Sequence, residues 1–372
     1  MLKDISFLIL LFASSVSTIA QVEIKPIYNF TPINNVECTS IKSQGKTGTC
    51  WSFATASFLE SEVMKNGQQK TDFSEMFVVR NIYLDKAQNF VLRQGKANFS
   101  QGSLSHDLMN IAATRGMIPE AVFSGLSSEN EAHNHSELSN VLTGFLKGLI
   151  KTKTLSPKWK NAVSSILDVY LGSVPSEFDF NGKKYTPVSF AKEMGIEENN
   201  YLNFTSFTHH PFYQDFILEI PDNYSNGSFY NVPLINLSSI VDEALKNGYS
   251  VAWDGDVSEK GFSRDDGLAI LPTDSENENL FKTIVSERKV NQEIRQAGFE
   301  SYATTDDHLM HLVGSAKDQN GNKYYLIKNS WGEIGPYKGY LYMSEAYFNM
   351  KTVSIMVNKN ALGATTKKSL KF

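Results

Sequence analysis

Cysteine is scarce in this sequence. Its 372 residues hold two, Cys38 and Cys50. That is too few for a disulfide framework, so the fold has to rest on a hydrophobic core. Charge of one sign is scarce as well. Charged residues make up 20% of the chain and the net charge is -5, with no long block of either sign. This argues against a nucleic-acid surface. No internal repeat and no low-complexity linker interrupts the chain. Metal ligands at usable spacing are also missing. His133 and His135 have no cysteine or carboxylate partners at ligand spacing and read as a solvated helix edge, and His209-His210-Pro211 reads as a turn. No metal or organic cofactor is implied.

The one compact apolar run is at the beginning. Lys3 precedes Ile5 to Val16, and Thr18-Ile19-Ala20 offers small residues where a signal peptidase cuts. The run is too short to span a membrane and lacks a stop-transfer flank. Residues 1–20 are therefore expected to be a signal peptide. Export to a periplasmic or extracellular space follows, without stable membrane insertion. Cleavage removes Lys3 and Asp4 together and leaves the net charge as it was.

The most informative stretch runs from Gln44 to Ala56. A loop containing Gly45 and Gly48 leads through Cys50-Trp51-Ser52 into an apolar segment that reads as a helix to about Asn66. Unpaired backbone N–H groups and the helix dipole favour an anion there, so Cys50 is placed to be nucleophilic. Far downstream, Asp307-His308-Leu309-Met310 opens one strand and Lys328-Asn329-Ser330-Trp331-Gly332 closes another. His308 and His311 are three apart in a strand, so they point to opposite faces. His308 is the candidate base and His311 a packing residue.

Coarsely, 21–43 is extended. Helical patterns cover 73–91, 103–114, 129–170, 237–246 and 276–299. Strands are expected at 216–220, 250–257, 308–316, 323–328, 340–343 and 353–358. Helices early and strands late give an α+β class with segregated parts. The helical half spans about 44–200 and the β-rich half about 213–362, with the N-terminal stretch joining the latter. A tail follows at 363–372.

Gln44 six residues before Cys50, then His308, then Asn329-Ser330-Trp331-Gly332, resembles the papain-like cysteine peptidases. From Gln44 to Leu362 the chain is similar to their bleomycin hydrolase and aminopeptidase C branch. Supporting stretches are Phe73-Ser74, Gln101-Gly102, Tyr185-Thr186-Pro187, Ser250 to Val257 and Gly339 to Met343. The resemblance implies a papain-like fold with a cleft between the halves and helical insertions. It implies hydrolysis of peptide substrates by a Cys50–His308–Asn329 thiol mechanism. Cys50 would attack, His308 would hold the thiolate as an ion pair and protonate the leaving amine, and Asn329 would orient His308. Gln44 would donate to the oxyanion, and Trp331 would cover the Asn–His hydrogen bond. A Cys38–Cys50 bond would consume the nucleophile, so both thiols are expected to be free. Aminopeptidase action is the leading expectation. The alternatives are an endopeptidase, a transglutaminase-like acyl transferase, or a non-enzymatic binding module on the same scaffold. The branch also allows a homo-oligomer. Its C-terminal arm enters the cleft, which puts the tail here at issue. Asp307 stands where the branch has threonine, and both the chain and the tail are shorter than is usual for it.

Overall fold

The computed structural model describes residues 27–128 and 131–370. The expected signal peptide therefore lies outside the described residues. A first strand, β1 (Thr31–Asn35), precedes the helical part: α1 (Cys50–Lys65), α2 (Glu75–Leu92), α3 (Ser105–Thr114), α4 (Ser136–Leu149) and α5 (Lys158–Leu171). A small hairpin, β2 (Phe178–Phe180) and β3 (Lys183–Tyr185), leads to α6 (Pro187–Glu193). The chain then enters the main sheet with β4 (Tyr201–Thr205), β5 (Gln214–Ile217) and β6 (Ser228–Asn231). Next come α7 (Leu234–Lys246), β7 (Val251–Gly255), β8 (Phe262–Ser263), β9 (Leu268–Ala269) and α8 (Gln292–Glu300). The last elements are β10 (His308–Lys317), β11 (Lys323–Lys328), β12 (Tyr340–Ser344), α9 (Glu345–Lys351), β13 (Thr352–Asn358) and α10 (Ala364–Leu370).

The main sheet has the order β5-β6-β4-β13-β7-β10-β11-β12-β9-β8, with β1 on the far half of β10. Its pairs are antiparallel except β4–β6 and β9–β12. Alternation along the strands sends residues to two cores. Ala252, Leu309, Val353 and Met356 face the core built with α1 to α6. Trp253, Met310, Leu312, Ile355 and Val357 face a second core roofed by α7.

Helix α1 runs through the first core, and every residue from Cys50 to Val63 is buried. A helix sunk on all sides must satisfy its polar side chains internally. Ser52 donates to Glu75 O at 3.0 Å, Thr55 to Ser105 Oγ at 3.0 Å and Ser61 to Glu37 O at 2.7 Å. Glu62 is less well served. It is 2% exposed, and its carboxylate takes Asn358 Nδ2 at 2.5 Å. Burial raises its pKa to about 7, against the help of Asn358 and Lys65. A folded-state pKa above the unfolded value means the folded state holds the extra proton. The stability tied to it is present below about pH 4.5 and lost as pH rises through about 7. Glu62→Gln keeps the hydrogen bond and removes the charge. Thermal melts should show the variant matching wild type near pH 4.5 and exceeding it at pH 8, by about 1–3 kcal/mol. Equal melting at both pH values would contradict this account.

Two expectations need correction. The 276–299 stretch is not mostly helical, since α8 begins only at Gln292. Glu287 is drawn in as a half-buried tether instead, accepting from Leu271 N at 2.6 Å and Ser344 Oγ at 2.5 Å. His133 and His135 are not a solvated helix edge. They are 9% and 3% exposed, held by backbone bonds from Lys46 N to His133 O at 2.7 Å and from His135 N to Lys46 O at 3.2 Å. The tail forms α10. Leu370 is buried in the second core, and Gly363 N and Thr366 Oγ1 both donate to Glu243 at 2.8 and 2.9 Å. Tyr230 Oη reaches Leu370 O at 3.1 Å. Residues 364–370 thus dock on the face of the sheet away from α1.

Candidate active site

The cleft forms where α1 starts and where β10 begins and β11 ends. Thr49 caps α1 without a side-chain hydrogen bond, and Ser52 N and Phe53 N bond back to Thr49 O at 2.9 and 3.4 Å, which leaves the Cys50 and Trp51 N–H groups outside the helix ladder. Cys50 is buried, and the backbone N–H groups of Leu309 and Trp51 are directed at its sulfur. The Leu309 contact places the thiol beside the first residues of β10. Both cysteines are free, and Cys38 Sγ lies 3.3 Å from Tyr340 Oη.

His308 is the first residue of β10 and Asn329 follows the last residue of β11. His308 Nε2 and Asn329 Oδ1 are 2.8 Å apart. Asn329 Oδ1 also accepts from Ser330 N at 2.7 Å, which fixes the amide with its oxygen toward the ring. His308 Nε2 is then the donor, leaving Nδ1 as the acceptor. Trp331 stacks on the imidazole at 4.6 Å between centroids with planes 29° apart. Arg264 sits 5.8 Å over the Trp331 ring.

Gln44 is anchored between the two halves. Its N–H donates to Ser330 O at 2.8 Å, its Oε1 accepts from Ser330 Oγ at 2.7 Å and its Nε2 donates to Thr47 O at 2.7 Å. That last bond uses one of the two amide hydrogens. Gly45, at φ +62°, lies against the His133 carbonyl, where a Cβ would collide. Buried His133 is thus part of the wall that shapes the Gln44 loop.

Electrostatics in the cleft oppose charge on either partner. Burial pushes the Cys50 thiol up to about 12, and Asp306 and Asp254 push it further against the help of Leu309 N–H. Burial lowers His308 to about 4, although Asn329 and Asp307 favour its cation. Burial thus opposes a charge on either group taken alone. Asp307, which also precedes His308 in sequence, accepts from Thr305 Oγ1 at 2.8 Å and from Ser258 Oγ.

His311 is fully buried on the α1 side, with Nδ1 2.8 Å from Ser57 Oγ. It belongs to a polar chain that the sequence did not reveal. Lys328 Nζ donates to Ser57 Oγ at 2.7 Å and Thr39 Oγ1 at 2.9 Å, and Thr39 donates to Glu60. Beyond it, Lys42 pairs with Glu75 at 2.8 Å and with Asp72. Glu60, Asp72 and Glu75 bring carboxylate oxygens within 4.8 Å of one another. Lys42 and the Phe73 N–H at 3.0 Å already occupy that cluster, which marks it as a structural tie. His209, His210 and Glu219 also converge, on the exposed surface. No described helix is long and apolar enough to cross a membrane.

The chain is similar to known proteins over most of its length. The sequence pattern of the Peptidase C1-like family matches residues 96–371, and that of the papain family of cysteine proteases matches 30–83. Aminopeptidase G of Lactobacillus delbrueckii subsp. lactis is 24% identical, over 87% of this chain and 82% of its own length. Aminopeptidase C of the same organism is 23% identical, over 96% and 87% respectively. Bleomycin hydrolase of Gallus gallus is 23% identical, over 86% and 80%. The crystal structure of PepW from Lactobacillus rhamnosis superposes with a TM-score of 0.72 at 20% identity, over 92% of this chain and 84% of that one.

Proposed function

The chain belongs to the Peptidase C1-like family and is a cysteine peptidase, and we propose that it is an exported aminopeptidase using Cys50, His308, Asn329 and Gln44. The observation that carries the catalytic assignment is the 2.8 Å His308–Asn329 bond facing the open start of α1. In this reading the peptide carbonyl binds with its oxygen toward the Cys50 N–H and the free Gln44 amide hydrogen. As Sγ attacks, its proton passes to His308 Nδ1. Creating the two charges together offsets the burial that penalises each alone. The imidazolium then protonates the leaving amine, and water, deprotonated by the same ring, releases the acyl group. Asn329 holds the tautomer, and the oxyanion donors lower the barrier to the tetrahedral intermediate.

The aminopeptidase reading is supported by relatives that match along most of their length and are named aminopeptidases C and G. One observation favours an endopeptidase instead: α10 docks away from the cleft, so residues 364–370 supply no arm to block a long substrate. Hydrolysis of leucine para-nitroanilide against its N-acetylated form decides between them. At least a tenfold higher kcat/KM on the free amine is expected, and preference for the blocked substrate would make this an endopeptidase.

Export rests on the pattern of residues 1–20. N-terminal sequencing of protein from the native cell should begin at Gln21. A soluble form retaining Met1 would reject it.

A further inference from the structure

The wall of the cleft beside Cys50 carries carboxyl groups that the catalytic assignment does not use. Asp254 lies on β7 opposite Leu309 of β10, whose N–H points at the Cys50 sulfur. Directly paired strand residues are about 4.5–5.5 Å apart between Cα atoms, so Asp254 sits one strand from the nucleophile. It lies on the α1 side of the sheet, like its neighbour Ala252. Asp254 is 2% exposed, and its Oδ2 accepts from Ser354 Oγ at 2.9 Å. Its Oδ1 has no donor from another residue type among the described residues, and neither does Asp306 Oδ2. The two carboxyl groups lie close enough for each to shift the other's titration. Burial raises Asp254 to about 7 and Asp306 well above the usual carboxylate range. The pair thus resists carrying two negative charges at once.

A third carboxylate, Asp222, is near enough to raise both Asp254 and Asp306. Asp222 Oδ1 accepts from Asn98 Nδ2 and Ser100 Oγ, both at 3.1 Å. Its Oδ2 lies so close over Gly102 that any side chain there would collide with it. The same loop is fastened to the nucleophile segment by Gly48 N to Gln101 Oε1 at 2.8 Å and Trp51 Nε1 to Gln101 O at 3.0 Å. Among the described residues no cation forms a salt bridge with Asp222, Asp254 or Asp306. Lys86 feels the charges of Asp222 and Asp306, but it is buried and directs its ammonium to Gly102 O and Ser100 Oγ.

We propose that Asp254, Asp306 and Asp222 form the subsite that holds the free α-ammonium group of the substrate's first residue. This rests on the aminopeptidase reading. When the bond after the first residue is cut, the α-nitrogen is two bonds from the carbonyl carbon that Cys50 attacks. The cation must therefore sit next to the nucleophile, where these carboxyl groups are. An ammonium offers three donors and a charge to unsatisfied acceptors. An internal peptide N–H offers one donor and no charge, so a longer chain would desolvate the carboxylates without compensation.

The test uses Asp254→Asn, Asp306→Asn, the double variant and Asp222→Asn. The substrates are leucine para-nitroanilide, N-acetyl-leucine para-nitroanilide and N-acetyl-arginyl-leucine para-nitroanilide. Either single asparagine leaves the other carboxyl in place and should cost only several-fold. The double variant removes the charge. It should lose 10–100-fold in kcat/KM on the free amine, mainly through KM, and bring the free-to-blocked ratio toward one. Asp222→Asn, on a part-exposed residue, should lower that ratio even where the double variant fails to fold. Wild type preferring free amines, with the ratio unchanged in every folded variant, overturns the subsite and leaves the aminopeptidase reading standing. Wild type preferring blocked substrates overturns the aminopeptidase reading itself. Best activity on the arginyl substrate, lost in the double variant, would assign the carboxylates to a basic side chain and overturn the α-ammonium assignment.

Discussion

Cys50→Ala should reduce anilide hydrolysis to the uncatalysed background, and His308→Ala should do nearly the same. Removing the nucleophile or base of a hydrolytic triad costs on the order of 10⁶ in kcat, because the members act as a unit. Neither change should unfold the protein. Cys50 lies at the cleft end of α1 rather than in the middle of its core. His308 makes one side-chain hydrogen bond and one ring stack. Asn329→Ala should lose less, since it orients the ring without touching the substrate. His311→Ala is the control that discriminates. It faces Ser57 on the α1 side and should stay within about tenfold of wild type while melting earlier, because it leaves the Ser57 hydroxyl short of a buried partner. Activity surviving in His308→Ala and lost in His311→Ala would reassign the base.

The next largest effect should come from Gln44. Removing an oxyanion donor costs about 10²–10³ in kcat. Gln44→Ala also deletes the bonds to Ser330 Oγ and Thr47 O that join the two sides of the cleft, so a fall in rate alone would be ambiguous. Gln44→Glu resolves this. Its carboxylate can still accept from Ser330 but cannot donate to an oxyanion, and it brings a negative charge to the place where one develops. We expect Gln44→Glu to be at least as slow as Gln44→Ala while its melting temperature stays closer to wild type. A rate tracking the melting temperature across both variants would show a structural role only.

The elements that hold the chemistry were legible because local signals and tertiary use agree there. Glycines before an apolar segment start α1 at Cys50, and the Lys317 to Asn322 turn separates β10 from β11 as its composition suggests. Charge misled elsewhere. Residues 276–291 carry enough Glu, Lys and Asn to suggest an exposed helix, but Glu287 is committed to Leu271 and Ser344, and that tether holds the backbone open. His133 and His135 sit among polar neighbours, yet their backbone bonds to Lys46 pull them under the Gln44 loop. Asp254 was hidden differently. Val251 to Gly255 was legible as a strand, but which face meets α1 depends on pairing with β10, and only that pairing places a carboxyl beside Cys50. The Asp306-Asp307 doublet just before His308 was the one available signal for an acidic cleft.

The position of α10 changes what a truncation would mean. Leu370 lies in the same core as Leu237, Val241 and Ile355, and burying a leucine contributes about 1.5–3 kcal/mol. Cutting at Gly363 would strip that contact and both donors from Glu243, so α7 would loosen first. From α7 the disturbance has a short route through Met310 and Leu312 to the strand that begins with His308. A shortened protein that hydrolyses more slowly would then be reporting a softened floor beneath its base. Trimming by a carboxypeptidase would accordingly act as a slow inactivation timer, read as a falling melting temperature at constant KM.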